Sequence, residues 1–162
     1  MKRRIAIFLL FLILLPGCGK QQEAPQTVAI GNPWSDWATL REAETAVGFL
    51  YGLPEEIPEA YAAAAFRTMN GELLEIIYRD GDSEIRVRKQ AGEGQDLSGD
   101  YTSYDSCTLE DYATGSVARY HLSESNACKL VISSSGYSWS VTAPDGFAGD
   151  CEAYLLGQIL KS

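Results

Sequence analysis

The sequence predicts an α+β domain: an antiparallel β-sheet of about six to seven strands with an N-terminal and a C-terminal helix packed on one face. Three observations carry that expectation. Short apolar-rich runs alternate with turn residues from Leu73 to Ala143. Asn70-Gly71 is a strong signal for a type I′ hairpin, which joins antiparallel neighbours. Helical periodicity is confined to two segments, one near residue 40 and one near residue 155, so the helices are segregated from the strands.

The first helix has a defined start and stop. Thr39-Leu40-Arg41-Glu42 is a capping-box pattern, with a hydroxyl to cap the helix and a Glu three residues on. Leu40, Ala43 and Val47 share one helical face. Gly48 suits the left-handed position that closes a helix. The helix therefore spans 40–47. Pro54 and Pro58 then exclude helix and favour an extended crossing.

Residues 61–69 pull two ways. Four consecutive alanines, Ala62 to Ala65, favour helix by propensity. The Asn70-Gly71 turn, however, requires a strand before it, so strand is expected over 61–69. Leu73 to Arg79 is the next strand. Asp80-Gly81-Asp82 turns the chain into 83–90, where Ile85 and Val87 alternate with Glu84, Arg86 and Arg88. That pattern gives a strand with one wet face, and the three strands form a meander. Residues 91–106 are the longest irregular stretch, and loops of this length are commonly functional or mobile. Strands follow at 107–112, 116–122, 128–133 and 137–143. The last helix covers 150–160, with Cys151, Leu155 and Ile159 on one face and Asp150 at its positive end.

Ahead of this domain the chain has a different character. Lys2, Arg3 and Arg4 precede an apolar run of 11 residues, Ile5 to Leu15. This is the layout of a secretory signal. It is shorter than the roughly 20 residues of a membrane-spanning helix. Leu15-Pro16-Gly17-Cys18 resembles the bacterial lipobox, with Pro16 where that pattern prefers Ala or Ser. The resemblance implies a signal peptide over 1–17, diacylglycerol on the Cys18 thiol, and a mature chain that begins at Cys18. Each buried CH₂ contributes about 0.8 kcal/mol, so two or three acyl chains anchor a soluble domain stably. Residues 18–31 are then the lipidated cysteine and a polar, flexible tether, reaching roughly 20 Å. Residues 32–162 are a single α+β domain.

Charge narrows the partners. The formal net charge is −9, and it becomes −12 once 1–17, with three basic and no acidic residues, is removed. Nucleic acid needs a basic footprint, so no nucleic-acid partner is expected. Of the four cysteines, Cys18 carries lipid, which leaves Cys107, Cys128 and Cys151. At most one disulfide can form among three, and their spacings match no zinc pattern. Cysteines at such positions are most often small core hydrophobes.

Several stretches together carry a family resemblance. Asn32-Pro33-Trp34 leads to Thr39 to Ala43 and to Val47-Gly48-Phe49. Leu53-Pro54 and Ile57-Pro58 precede Tyr61; then come Ile76 to Gly81, Ile85 to Lys89 and Asp96 to Tyr101. Gly136 to Val141 stands before the last helix. Over roughly 32–160 the chain resembles the bacterial extracytoplasmic domain called domain of unknown function 4367. That domain occurs in lipoproteins and in the outer portions of membrane-bound regulators. The resemblance implies a fold and a location, and supplies no catalytic residues. The three cysteines and the alanine run depart from its pattern.

Candidate chemistry is sparse. His121 is the only histidine, and no Gly-x-Ser-x-Gly elbow supplies a nucleophile beside it. Cys128 lies across a short turn from His121, the one place where strand pairing could join a thiol to an imidazole. Asp96, Asp100 and Asp105 cluster in the long loop, as Glu55, Glu56 and Glu59 do among prolines. Asp80-Gly81-Asp82 lacks the EF-hand spacing, and no cofactor or metal is expected. Tyr101 and Tyr104 in the acidic loop could join Tyr112, Tyr120, Tyr137 and Trp139 along a groove. The preferred reading instead places Tyr137, Trp139 and Val141 in the core under the two helices. The function expected is a non-enzymatic binding or protein-interaction module, lipid-anchored on the outer face of the cell membrane. Its partners would be the membrane, through Cys18, and a protein or small ligand. Its speculative ligand residues are Tyr101, Tyr104, Asp96 and Asp100. The alternative is a cell-envelope hydrolase using loop carboxylates or His121.

Overall fold

The structure, a computed structural model, describes residues 32–162. The signal segment, Cys18 and the tether lie outside the described residues. Among the described residues there are eight strands: β1 (Trp34–Trp37), β2 (Ala62–Met69), β3 (Leu73–Asp80), β4 (Ser83–Ala91), β5 (Ser106–Tyr112), β6 (Gly115–His121), β7 (Cys128–Ser134) and β8 (Tyr137–Ala143). Two helices accompany them, α1 (Leu40–Val47) and α2 (Cys151–Ile159). The domain is thus α+β with one antiparallel sheet, but the strands number eight, not six to seven. The strand missed by the sequence reading is β1. Its four residues, Trp-Ser-Asp-Trp, are too few for alternation to show. Pairing with β2 defines it, from Trp34 opposite Met69 to Trp37 opposite Phe66.

Local chemistry fixes the elements as expected. Thr39 caps α1: the Glu42 amide donates to its hydroxyl at 3.3 Å and the Thr39 amide donates to the Glu42 carboxylate at 3.1 Å. Gly48 ends the helix with φ 77°. Asn70 and Gly71 both have positive φ, 55° and 69°, as a type I′ turn requires. The run Ala62 to Ala65 is strand despite its helix propensity, because it pairs with β3 from Ala62 opposite Arg79 onward. Gly115 is needed for a different reason. A Cβ there would stand 2.1 Å from the Ser133 carbonyl oxygen, so β6 passes β7 too closely for any side chain.

The strand order is β1-β2-β3-β4-β8-β7-β6-β5. Strands β1 to β4 form one meander and β5 to β8 a second, joined where β4 pairs with β8. The chain therefore leaves β4 in the middle of the sheet and resumes at its far edge. The connection between β4 and β5 must cross β8, β7 and β6. We call residues 92–105 the strap.

Period-two alternation gives the sheet two unlike sides. On one, Ile76 lies opposite Val87, Val87 opposite Val141 and Val141 opposite Leu130. All are fully buried, and each such side chain contributes roughly 1.5–3 kcal/mol. They share one cluster with Ala43 of α1, with Tyr51, Ile57 and Tyr61 of the crossing segment, and with Leu155 and Ile159 of α2. On the other, Glu75 lies opposite Arg88 and Arg88 opposite Ser140. This side is polar, and the strap runs over it. Among the described residues no helix is long and apolar enough to cross a membrane.

Candidate functional site

The polar side is built around buried charges that satisfy one another. Glu75 is fully buried on β3. It accepts from Arg67 of β2 and, at 2.6 Å, from Arg88 Nε of β4. The Trp34 ring stacks against both guanidinium groups, at 4.6 Å and 5.1 Å. Next to this trio, Glu84 accepts from Arg79 at 2.8 Å and from Arg86. Partial burial alone would raise the Glu84 carboxyl, but the two arginines outweigh it and hold it below the usual range.

The strap is bound to this side through its backbone. The Gln95 amide donates to Ser138 Oγ at 3.0 Å and the Leu97 amide to Ser140 Oγ at 2.8 Å. Ser138 Oγ in turn donates to the Gly92 carbonyl at 2.8 Å. Arg88 Nη1 donates to the carbonyls of Leu97 and Ser98, at 2.8 Å and 2.6 Å. Gly99 permits that approach, since a Cβ there would sit 3.0 Å from Arg88 Nη1. Lys129 of β7 closes the arrangement. Its Nζ donates to Asp96 Oδ2 at 3.0 Å and the Asp100 carbonyl at 3.4 Å, beside the rings of Tyr104 and Tyr120 at 5.3 Å and 4.7 Å.

The expected ligand residues now have defined places. Asp96 accepts from Lys129 and from the Ser98 amide at 2.9 Å. Partial burial would raise its carboxyl, but the Ser98 and Lys129 hydrogen bonds hold it below the usual range. Asp100 accepts from the Thr102 amide at 2.9 Å and the Tyr104 hydroxyl at 2.5 Å. The Tyr104 hydroxyl is pushed well up, first by burial and then by that carboxylate. Tyr101 stands almost fully exposed, with no part in this network. Asp96, Asp100 and Tyr104 therefore fasten the strap, and Tyr101 does not. Asp105, the third loop carboxylate, accepts from the Ser123 amide. Among the described residues no group of three or more His, Cys, Asp or Glu could hold a metal ion.

The groove of Tyr101, Tyr104, Tyr112, Tyr120, Tyr137 and Trp139 does not assemble, and Tyr137 and Trp139 belong to the core, as the sequence favours. Tyr104 and Tyr120 stack on the polar side, 5.9 Å between centroids. Trp139 is fully buried in the apolar cluster, with Tyr137 packed against it. Cys107 also departs from expectation: it is exposed on edge strand β5 rather than buried. Cys128 and Cys151 are buried, and all three thiols are free. His121 is the register partner of Cys128. Burial, then the Glu152 carboxylate, pushes the Cys128 thiol up to about 11, so the pair holds a neutral thiol rather than an activated thiolate.

An open pocket of about 400 Å³ lies where the strap meets β4 and β8. Arg86, Arg88 and Thr142 line it from the sheet; Ser98, Asp100 and Thr102 line it from the strap. Larger hollows of about 680 and 640 Å³ run beside α1 and α2. The strap pocket is the stronger candidate because its polar groups converge from separate elements and rest on buried ion pairs. Sequence reasoning missed Arg86, Arg88, Lys129, Ser138 and Ser140. The available signal was serine at every second place of Tyr137-Ser138-Trp139-Ser140-Val141. A strand side lined with buried hydroxyls needs backbone to bond. No protein family, curated protein or solved structure matches this chain.

Proposed function

We propose that this protein is a non-enzymatic binding module, held on the outer face of a cell membrane by lipid on Cys18 and a short tether. The reading rests first on the strap. A long connection fixed across the sheet through Ser138, Ser140, Arg88 and Lys129 makes a pocket from two parts of the chain. Such a roof positions side chains for recognition at little further entropic cost. Both helices are taken to pack on the apolar side, in keeping with the cluster shared by Ala43, Leu155 and the inner strands. The polar side is then left to a ligand or a protein partner. The non-enzymatic part is supported by the engagement of the loop carboxylates in holding the strap, and by the protonated Cys128 beside His121. The location is supported by the basic start, the apolar run and Leu15 to Cys18, and agrees with the resemblance to the domain of unknown function 4367.

The anchor is tested by Cys18→Ala. The expected result is release of the protein from the membrane fraction into the soluble fraction or the medium. Full membrane retention of this variant would overturn the lipid anchor. Turnover of a cell-wall or glycan substrate by the pure protein would overturn the non-enzymatic reading.

A further inference from the structure

We infer that the strap pocket receives a small hydroxylated ligand through an oxyanion, a carboxylate or phosphate, and that Arg86 is its anion contact. This rests on the binding-module reading above and assigns the ligand class to the same pocket. The pocket sits among charged side chains. Glu75 serves two arginines, Arg67 and Arg88, and Glu84 serves two more, Arg79 and Arg86. Lys129 is matched by Asp96, and Asp100 lies on the pocket wall. Within the pocket lining itself two guanidinium groups, Arg86 and Arg88, face one carboxylate, Asp100, in a chain whose net charge is −9.

The two lining arginines differ in how far they are engaged. Arg88 is committed: Nε to Glu75, and Nη1 to two strap carbonyls. Arg86 uses only Nε, toward Glu84. Its two terminal nitrogens donate to nothing among the described residues, its side chain is 40% exposed, and it lines the pocket. A guanidinium with free terminal nitrogens presents a planar fork that fits a carboxylate or phosphate through two parallel hydrogen bonds. Asp100 stays an ionised carboxylate on the wall, its oxygens accepting from Tyr104 and Thr102, and the two guanidinium groups of the lining outnumber it.

Hydroxyl groups make up much of the remaining polar lining. Ser98, Thr102, Ser125 and Thr142 all line the pocket. A hydroxyl can donate or accept, so these groups suit a ligand bearing hydroxyls of its own. The volume of about 400 Å³ limits the occupant to a small molecule or the end of a larger one.

The test is an amide-shift titration of the full-length protein in detergent. The anionic probes are sn-glycerol 3-phosphate and D-glucuronate; the neutral counterparts are glycerol and D-glucose. The anions should shift amides at Ser98 to Thr102 and at Thr142, more weakly as salt rises, and the better of the two identifies the oxyanion. Arg86→Gln should weaken binding by about tenfold or more. Arg79→Gln also breaks one bond to Glu84 but lies outside the pocket lining, so it should change binding by less than about twofold. Equal losses in the two variants would replace a direct contact by a diffuse field and overturn the assignment. Glucose matching glucuronate at these amides would overturn the oxyanion claim while leaving the binding module standing. Anions that shift no pocket amide would overturn the inference.

Discussion

The two sides of the sheet each bury a lysine, and the two lysines are held by different physics. Lys89, on the apolar side, is 5% exposed. Its Nζ donates to the Leu50 carbonyl at 2.7 Å and the Tyr51 carbonyl at 3.1 Å, with the rings of Tyr137 and Trp139 at 4.2 Å and 4.5 Å. No carboxylate bonds it, and burial lowers it to about 8. Lys129, on the polar side, is 6% exposed. It too touches a carbonyl and two rings, but it also bonds the Asp96 carboxylate. Each lysine fastens a crossing segment, 49–51 or the strap, to the sheet. The difference is that the apolar side holds its one buried charge, Lys89, without a bonded carboxylate, within a core held by packing. The polar side is a continuous ion-pair and hydroxyl lattice. A side built that way can hold a roof in place and still offer groups to a ligand.

The comparison is tested first by matched deletions. Trp139→Ala should cost about 3–5 kcal/mol through a cavity in the apolar cluster. Glu75→Gln should cost about 3–5 kcal/mol for another reason, since Arg67 and Arg88 lose their shared counter-charge. The second loss should be partly recovered by Arg67→Met, which removes one uncompensated cation, when stability is measured by denaturant in a double-mutant cycle. Strict additivity of Glu75→Gln and Arg67→Met would break the account of the polar side as a coupled lattice.

A smaller effect separates the lysines by pH. Lys89 is lowered from 10.5 to about 8 in the folded protein. Between those values the unfolded chain holds the proton more tightly, so this group's contribution to stability rises with pH. Below about pH 8 both states are charged and the desolvation cost is carried in full. The stability difference between wild type and Lys89→Met should therefore move in favour of wild type as pH rises from 8 to 10. The buried tyrosines Tyr51 and Tyr78 are raised by burial and act oppositely above about pH 10, in both proteins alike. A difference that stays flat across this window would refute the shift.

Much of this comparison was legible in the chain itself. Thr39, Glu42 and Gly48 announced α1, and Asn70-Gly71 forced strand on an alanine run that propensity alone would make helical. Those signals are local, acting over a few residues. What stayed hidden was non-local. The strap's amides meet hydroxyls 43 residues away. That meeting depends on β4 pairing with β8, which no turn signal specifies. The carboxylates of Asp96 and Asp100 could therefore be read as free ligand groups, when Lys129 and Tyr104 hold them. Tyr137 and Trp139 share a side, as i and i+2 must, but only topology decides which side carries the core. β1 escaped because four residues hold no period.

The most direct test of the account is amide hydrogen exchange at Gln95 and Leu97 in the full-length protein. If the strap is a fixed roof, both amides are protected in wild type. Ser140→Ala then removes the acceptor of the Leu97 amide and speeds exchange in the strap, with β3 and β4 unchanged, for a local cost of about 1–3 kcal/mol. Exchange at Gln95 and Leu97 as fast in wild type as in an unfolded chain would contradict it, and would make the strap a loose loop.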